Sequence, residues 1–147
     1  MFKKILVPVD GSEASVKALQ TAARMAESFG AEVMLFHVMQ LPAPMEVFES
    51  YSGKMGEIYY QIKQRVEKYG ERVLQDAAKQ CSAFKVNFKE KASWGEPASE
   101  VLQEVAIGKY DLVVIGSRGL DDVEDWLLGS ISQRVVRRCK SPVLVIR

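Results

Sequence analysis

Four short runs along the chain are apolar at successive positions instead of alternating: Ile5–Val9, Val33–Val38, Leu112–Ile115 and Val143–Ile146. Runs of four to six residues rich in valine and isoleucine predict strands covered on both faces, as in a parallel sheet. A fifth run, Val86–Ala92, does alternate, with Val86, Phe88, Glu90 and Ala92 set against Asn87, Lys89 and Lys91. It predicts a strand with one face less deeply covered.

Between these runs the apolar period changes to three and four. Asp10-Gly11-Ser12 is a capping sequence, after which Ala18, Leu19, Ala22, Ala26 and Phe29 form a helical stripe that Gly30 ends. Ile58, Ile62, Val66, Tyr69, Val73 and Ala77 repeat the stripe over a longer second helix. Gly95-Glu96-Pro97 opens a third, with Val101, Leu102 and Val105 toward the core, because proline suits a first helical turn. Gly129-Ser130 opens a fourth, carrying Ile131, Val135 and Val136. Strand and helix alternate throughout, so the fold class expected is α/β: about five parallel strands with helices on both faces. Gln40–Gly56, with two prolines and two glycines, is the irregular stretch and reads as a mobile loop within one domain spanning residues 1–147.

Composition narrows the possible functions. The chain has 147 residues, 48% hydrophobic and 27% charged, with a formal net charge of +1 from 20 basic and 19 acidic side chains. That balance argues against nucleic-acid binding by bulk charge. No apolar run reaches the roughly 20 residues that span a bilayer, and the start MFKKILVPVDG has no secretory core, so no membrane role is expected. Cys81 and Cys139 have no metal or redox spacing; two reduced thiols predict a cytoplasmic setting.

Candidate chemistry concentrates after the fourth strand. In open parallel sheets ligands sit beyond the carboxyl ends of the strands, where strand order reverses. There the sequence reads Gly116-x2-Gly119-x9-Gly129-Ser130. Gly116 and Gly119 permit a tight turn and close backbone approach, and Gly129-Ser130 offers amides and a hydroxyl at a helix N-terminus, where an anion is favoured. Arg118 is the basic side chain of this loop. Together these features predict a phosphate cradle.

His37, the sole histidine, lies inside an apolar strand and is expected to be a packed, hydrogen-bonded side chain. A metal cluster or Ser–His–Asp triad therefore has little material. Trp94 is a candidate for the pocket rim, and Ser12 is first a helix cap. Arg134, Arg137, Arg138 and Lys140 at the last helix read as ordinary complements of the helix dipole. The first strand is not followed by GxGxxG, no Walker lysine follows the glycines, and the HxGH and SGGxDS motifs of nucleotide-transfer enzymes are missing.

The segments KKILVPVDGSEAS, EVMLFHVM, GEPASEVLQEVA, YDLVVIGSRGL and LLGSISQRVVRRCKSPVLVIR resemble the universal stress protein family over essentially the whole length. The glycine loop has that family's G-x2-G-x9-G-[ST] spacing, which marks its ATP-binding branch. The resemblance implies a Rossmann-like three-layer sandwich with strand order 3-2-1-4-5. It implies that Pro8 and Val9 border an adenine, that Asp10 hydrogen-bonds the ribose, and that Val38 meets the adenine edge through its backbone. Gly116, Arg118 and Gly119 would approach ribose and phosphates from one side, and Gly129, Ser130, Ile131 and Ser132 from the other. The implied role is an ATP-, ADP- or AMP-dependent regulatory module in stress response, signalling to a protein partner whose identity the residues do not reveal. Homodimerisation through Val143–Ile146 is implied as well. A slow ATPase or phosphotransferase, and a dimeric interaction protein without nucleotide, are the alternatives.

One departure stands out. Between the second and third glycines the chain reads LDDVEDWLL, with Asp121, Asp122, Glu124 and Asp125. These carboxylates are expected to face solvent; beside a triphosphate they would repel it unless Mg²⁺ or Mn²⁺ intervened.

Overall fold

The computed structural model describes residues 1–43, 45–120 and 127–147. Its five strands are β1 (Lys4–Pro8), β2 (Glu32–Met39), β3 (Asn87–Trp94), β4 (Leu112–Gly116) and β5 (Val143–Ile146). Four α-helices, α1 (Glu13–Phe29), α2 (Lys54–Cys81), α3 (Pro97–Gly108) and α4 (Ser130–Arg138), connect them, with a short 3₁₀ turn at Met45–Phe48. All strand pairs are parallel, in the order β3-β2-β1-β4-β5.

The alternation of side chains along the strands sorts the apolar residues into two cores, one on each side of the sheet. Ile5, Val7, Val33, Leu35, Leu112 and Val114 pack with Ala18, Leu19, Ala22 and Ala26 of α1 and Val73, Ala77 and Cys81 of α2. Leu6, Phe36, Val113 and Ile115 face the other way, onto Ala98, Val101 and Val105 of α3 and Val135 of α4. Three layers result. A strand covered on both faces has no polar side to display, so β1 and β4 are apolar without alternation. β5 departs from that expectation: it is an edge strand, and its four residues are each half-buried. β3 is the other edge and carries the exposed charges of Lys89, Glu90 and Lys91, which discourage pairing with a further strand.

The helix termini follow local chemistry. Ser12 caps α1 by accepting the amide of Ser15 at 3.2 Å, and Gly30 ends it in the left-handed conformation at φ 68°. In α2 the predicted stripe is displaced. Val73 and Ala77 are buried, but Ile58 and Tyr69 are exposed, while Tyr59, Gly70 and Cys81 lie inside. With 28 residues α2 is about 42 Å long against about 26 Å for an eight-residue strand, so it is longer than the strands it covers. Phe29 and Val136, expected inward, are also exposed; Phe29 packs edge-on against Phe2 instead.

Polar ties hold the α3–α4 layer in place. Glu104, buried on α3, receives Lys91 Nζ of β3 at 2.7 Å and the Tyr110 hydroxyl at 3.2 Å. Glu96 is the cap of α3, a role its sequence context did not announce: its carboxylate accepts the amides of Ala98 and Ser99, the Ser99 hydroxyl, and Arg134 Nη1 of α4 at 2.6 Å. Partial burial pushes the Glu96 pKa up, but the bonds from Ser99 and Ala98 and the Arg134 charge outweigh it and hold the carboxyl below its ordinary value. A lowered carboxylate pKa adds stability above the unfolded value of 4.5 that disappears as pH falls through the folded one.

Two stability measurements follow. Because the Glu96 side chain is still 42% exposed, Glu96→Gln should cost only a few tenths to about 1 kcal/mol in urea unfolding at neutral pH. That gap should close below the carboxylate range; a pH-independent gap would mean the charge contributes nothing. Gly116 is the second site. A Cβ there would stand 2.7 Å from the Ala14 carbonyl carbon and 2.9 Å from its Cβ, so Gly116→Ala should cost about 1–3 kcal/mol as α1 is forced from β4.

Candidate functional site

Strand order reverses between β1 and β4. The chain leaves β1 into α1 on one face and leaves β4 toward α4 on the other, so the two strand ends diverge and open a cleft between them. The cleft spans about 580 Å³, part of it open to solvent.

Much of its lining is apolar. Phe36 and Val38 from β2, Val9 beyond β1, Val101 from α3 and Ile115 from β4 supply that lining. Asp10, Ser15, Arg118 and Ser132 add polar groups to the same lining, with Gly116 and Gly119 alongside. Thus nine predicted residues (Pro8, Val9, Asp10, Val38, Gly116, Arg118, Gly119, Ile131 and Ser132) meet at one cleft. Gly129 and Ser130 lie just outside its lining, at the start of α4.

The β1–α1 turn is held from several directions. Asp10 Oδ1 accepts the Ser12 amide at 2.8 Å, and Gly11 turns the chain at φ 85°. From α2, the Tyr69 hydroxyl donates to the Asp10 carbonyl at 2.7 Å and occupies the space a Cβ on Gly11 would need. Burial, and then the Asp10 charge, raise the Tyr69 pKa, so this hydroxyl stays protonated as a donor. His37 Nδ1 lies 2.7 Å from the Val9 carbonyl. A carbonyl only accepts, so the proton resides on Nδ1. His37 is therefore the packed, bonded histidine expected, and it holds the turn from below.

The β4–α4 junction is organised by one backbone group. The Ser117 carbonyl accepts the Gly129 amide at 2.7 Å and the Ser132 hydroxyl at 2.9 Å, while the Ser117 amide donates to Ile146 at 2.7 Å. Two donors anticipated for a ligand, the Gly129 amide and the Ser132 hydroxyl, are thus engaged within the protein. Gly129 has no side chain to cap the first turn of α4, whose following amides belong to Ser130, Ile131 and Ser132. Gly116 is also reinterpreted: its missing Cβ is required by contact with Ala14.

Sequence reasoning missed Ser15, Phe36, His37, Pro97, Val101 and Ile115 as lining residues. Most are core positions by pattern, and only the sheet order reveals that their upper surfaces face a cleft. Pro97 carried a usable signal, since it opens a helix after a strand that ends on the same edge. Trp94 lies elsewhere, at a shallow hollow with Met39, Tyr59 and Lys63. The acidic positions Asp121, Asp122, Glu124 and Asp125 fall outside the described residues. Among the described residues, no three His, Cys, Asp or Glu side chains are grouped to hold a metal ion. No helix among them is long and apolar enough to cross a membrane.

Comparison with known proteins agrees with this architecture. The model of the universal stress protein family matches residues 1–147. Universal stress protein YxiE of Bacillus subtilis is 33% identical over 153 aligned positions that cover all of both chains. Among solved structures, MJ0577 of Methanocaldococcus jannaschii superposes with a TM-score of 0.80 at 25% identity, covering 99% of this chain and 96% of the other. A family member from Arabidopsis thaliana with AMP bound gives 0.70 at 21% identity, covering 98% and 90%. Match over the full length, with the same parallel sheet, establishes that this chain belongs to the universal stress protein family.

Proposed function

We propose that the cleft binds an adenine nucleotide, ATP foremost, and that the chain serves as a nucleotide-dependent regulatory module in stress response. The observation that carries this reading is the junction of two environments at one switch point. An apolar slot lined by Phe36, Val38, Val101 and Ile115 suits a purine, and it opens directly onto Asp10, the Gly116–Gly119 backbone and the first turn of α4. A sugar beside Asp10 would find an acceptor for its hydroxyls, and phosphates would lie toward the positive end of the α4 dipole. The AMP bound by the Arabidopsis relative is of the same chemical class. Arg118 supplies positive charge at the phosphate end, and Mg²⁺ or Mn²⁺ would serve to offset the acidic positions of the loop.

The role of each group would be to bind and orient. The chain's described residues offer Asp10 as the sole carboxylate lining the cleft, and its Oδ1 is already bonded to the Ser12 amide. That arrangement favours holding a nucleotide over rapidly activating water against it.

Dimerisation through β5 belongs to the same proposal. The carbonyls of Pro142 and Ile146 face β4, so the alternation directs the backbone groups of Val143 and Val145 toward the open edge. A second copy pairing there would satisfy them and cover half-exposed apolar side chains.

Two experiments test these statements. Gly129 has φ −62° and ψ 158°, a backbone that any residue adopts and that suits an aspartate cap. Gly129→Asp should therefore fold with undiminished stability yet lose ATP affinity at least about tenfold in calorimetric titration, because its carboxylate takes the first-turn amides and repels phosphate. Unchanged affinity would place the nucleotide elsewhere, and titration with EDTA in place of Mg²⁺ would reveal whether a metal takes part. For the dimer, Val145→Pro removes an edge amide and should halve the mass seen by light scattering while the helical circular dichroism stays unchanged. A wild-type chain that is already monomeric would end that part of the reading.

A further inference from the structure

At the opposite end of the sheet from the cleft lies a second, wider depression, spanning about 1010 Å³ and open to solvent. It runs between the last turn of α3 and the exit of α4, where the chain enters β4 and β5. Its floor is apolar: Leu102, Val105, Ala106, Cys139 and Pro142. Its rim is cationic, with Lys109, Arg138 and Lys140 all exposed. Among the described residues, none of these three cations forms an ion pair. The single carboxylate present, Asp111, is already committed, accepting the backbone amides of Lys3 at 2.9 Å and Lys4 at 3.1 Å.

The walls are held in place before anything binds. Ser141 Oγ donates to the Tyr110 carbonyl at 2.7 Å, and Lys4 Nζ donates to the Gly108 carbonyl at 2.6 Å while lying 4.8 Å from the Tyr110 ring centre. Lys109 adopts a left-handed conformation at φ 53° that ends α3 and turns the chain at the rim. Dipole complementarity accounts for Arg138 in the last turn of α4, but Lys140 lies beyond that helix, and the apolar floor is unexplained by it.

We propose that this groove docks a protein partner through a segment in which carboxylates flank apolar side chains. Three unmatched cations around an apolar floor repel one another when empty. A carboxylate-bearing segment would match them while its leucine-like side chains cover the floor. The groove offers no exposed aromatic platform on which bases could stack, since Tyr110 is buried, and the chain as a whole has a net charge of only +1. The observations thus favour a peptide over a nucleic acid. α3 and α4 each begin beside the cleft and end at the groove, so one pair of helices spans both. The docking itself stands whether or not the cleft takes a nucleotide.

Cys139 in the groove floor is the built-in reporter. Cys81 is fully buried and burial pushes its thiol up to about 11, so neutral iodoacetamide reads Cys139. A short peptide of glutamates and leucines should slow Cys139 alkylation in the folded chain at low salt, and a lysine–leucine peptide of the same pattern should not. Reversing the rim with Lys109→Glu, Arg138→Glu and Lys140→Glu together should weaken this protection about tenfold or more. ATP affinity should not change, which keeps this result separate from the cleft. If the triple variant does not fold, the single changes Arg138→Ala and Lys140→Ala should each give a partial loss. The proposal is overturned if the acidic peptide gives no protection, or protects the charge-reversed chain equally. It is also overturned if only single-stranded oligothymidylate protects, or if protection rises with protein concentration alone, which would put a second copy in the groove.

Discussion

Everything in this molecule is arranged around the divergence of β1 and β4. Both strands lie in the middle of a parallel sheet, hydrogen-bonded on both sides and covered on both faces. Their connections must leave toward opposite faces, because each helix has its own layer to cover. The backbone therefore parts at the carboxyl ends, and a cleft opens that no side chain of the core fills. The closeness of α1 to β4 depends on the same geometry: Gly116 meets Ala14 with no room for a methyl group.

The loops at this point are firmly held by the protein. Two successive carbonyls, those of Val9 and Asp10, receive donors from His37 on β2 and Tyr69 on α2. Across the cleft the Ser117 carbonyl gathers the Gly129 amide and the Ser132 hydroxyl. Fixed turns of this kind would lower the ordering cost of any binding there, since the groups lining the cleft are already in place. They also explain why several residues that look like ligand contacts are partly occupied with each other.

The two ends of the sheet differ in chemistry. The cleft end combines an apolar slot, a carboxylate and a helix N-terminus; the opposite end combines an apolar floor with cations at helix C-termini. α3 and α4 run between them, tied to each other by Glu96 and Arg134 at the cleft end. On the proposed reading, this one pair of helices would carry both a small-molecule site and a partner site.

The strands, the helices and the glycine spacing were legible in the sequence because each depends on local rules. Unbroken apolar runs require cover on two faces, and Ser12 and Gly30 begin and end α1 by their own backbone chemistry. The family, too, was readable from five short segments. What only the tertiary structure decided is how those pieces meet. Phe36, Val101 and Ile115 are core residues by pattern, and become a slot only through the strand order. Ile58 is exposed because Tyr59 beside it takes the inward side of α2, and Gly116 is needed because of a helix that the sequence places about a hundred residues away. Periodicity describes which face of an element is apolar. Which surface that face meets, and where it stops, is settled by packing between segments far apart in the chain.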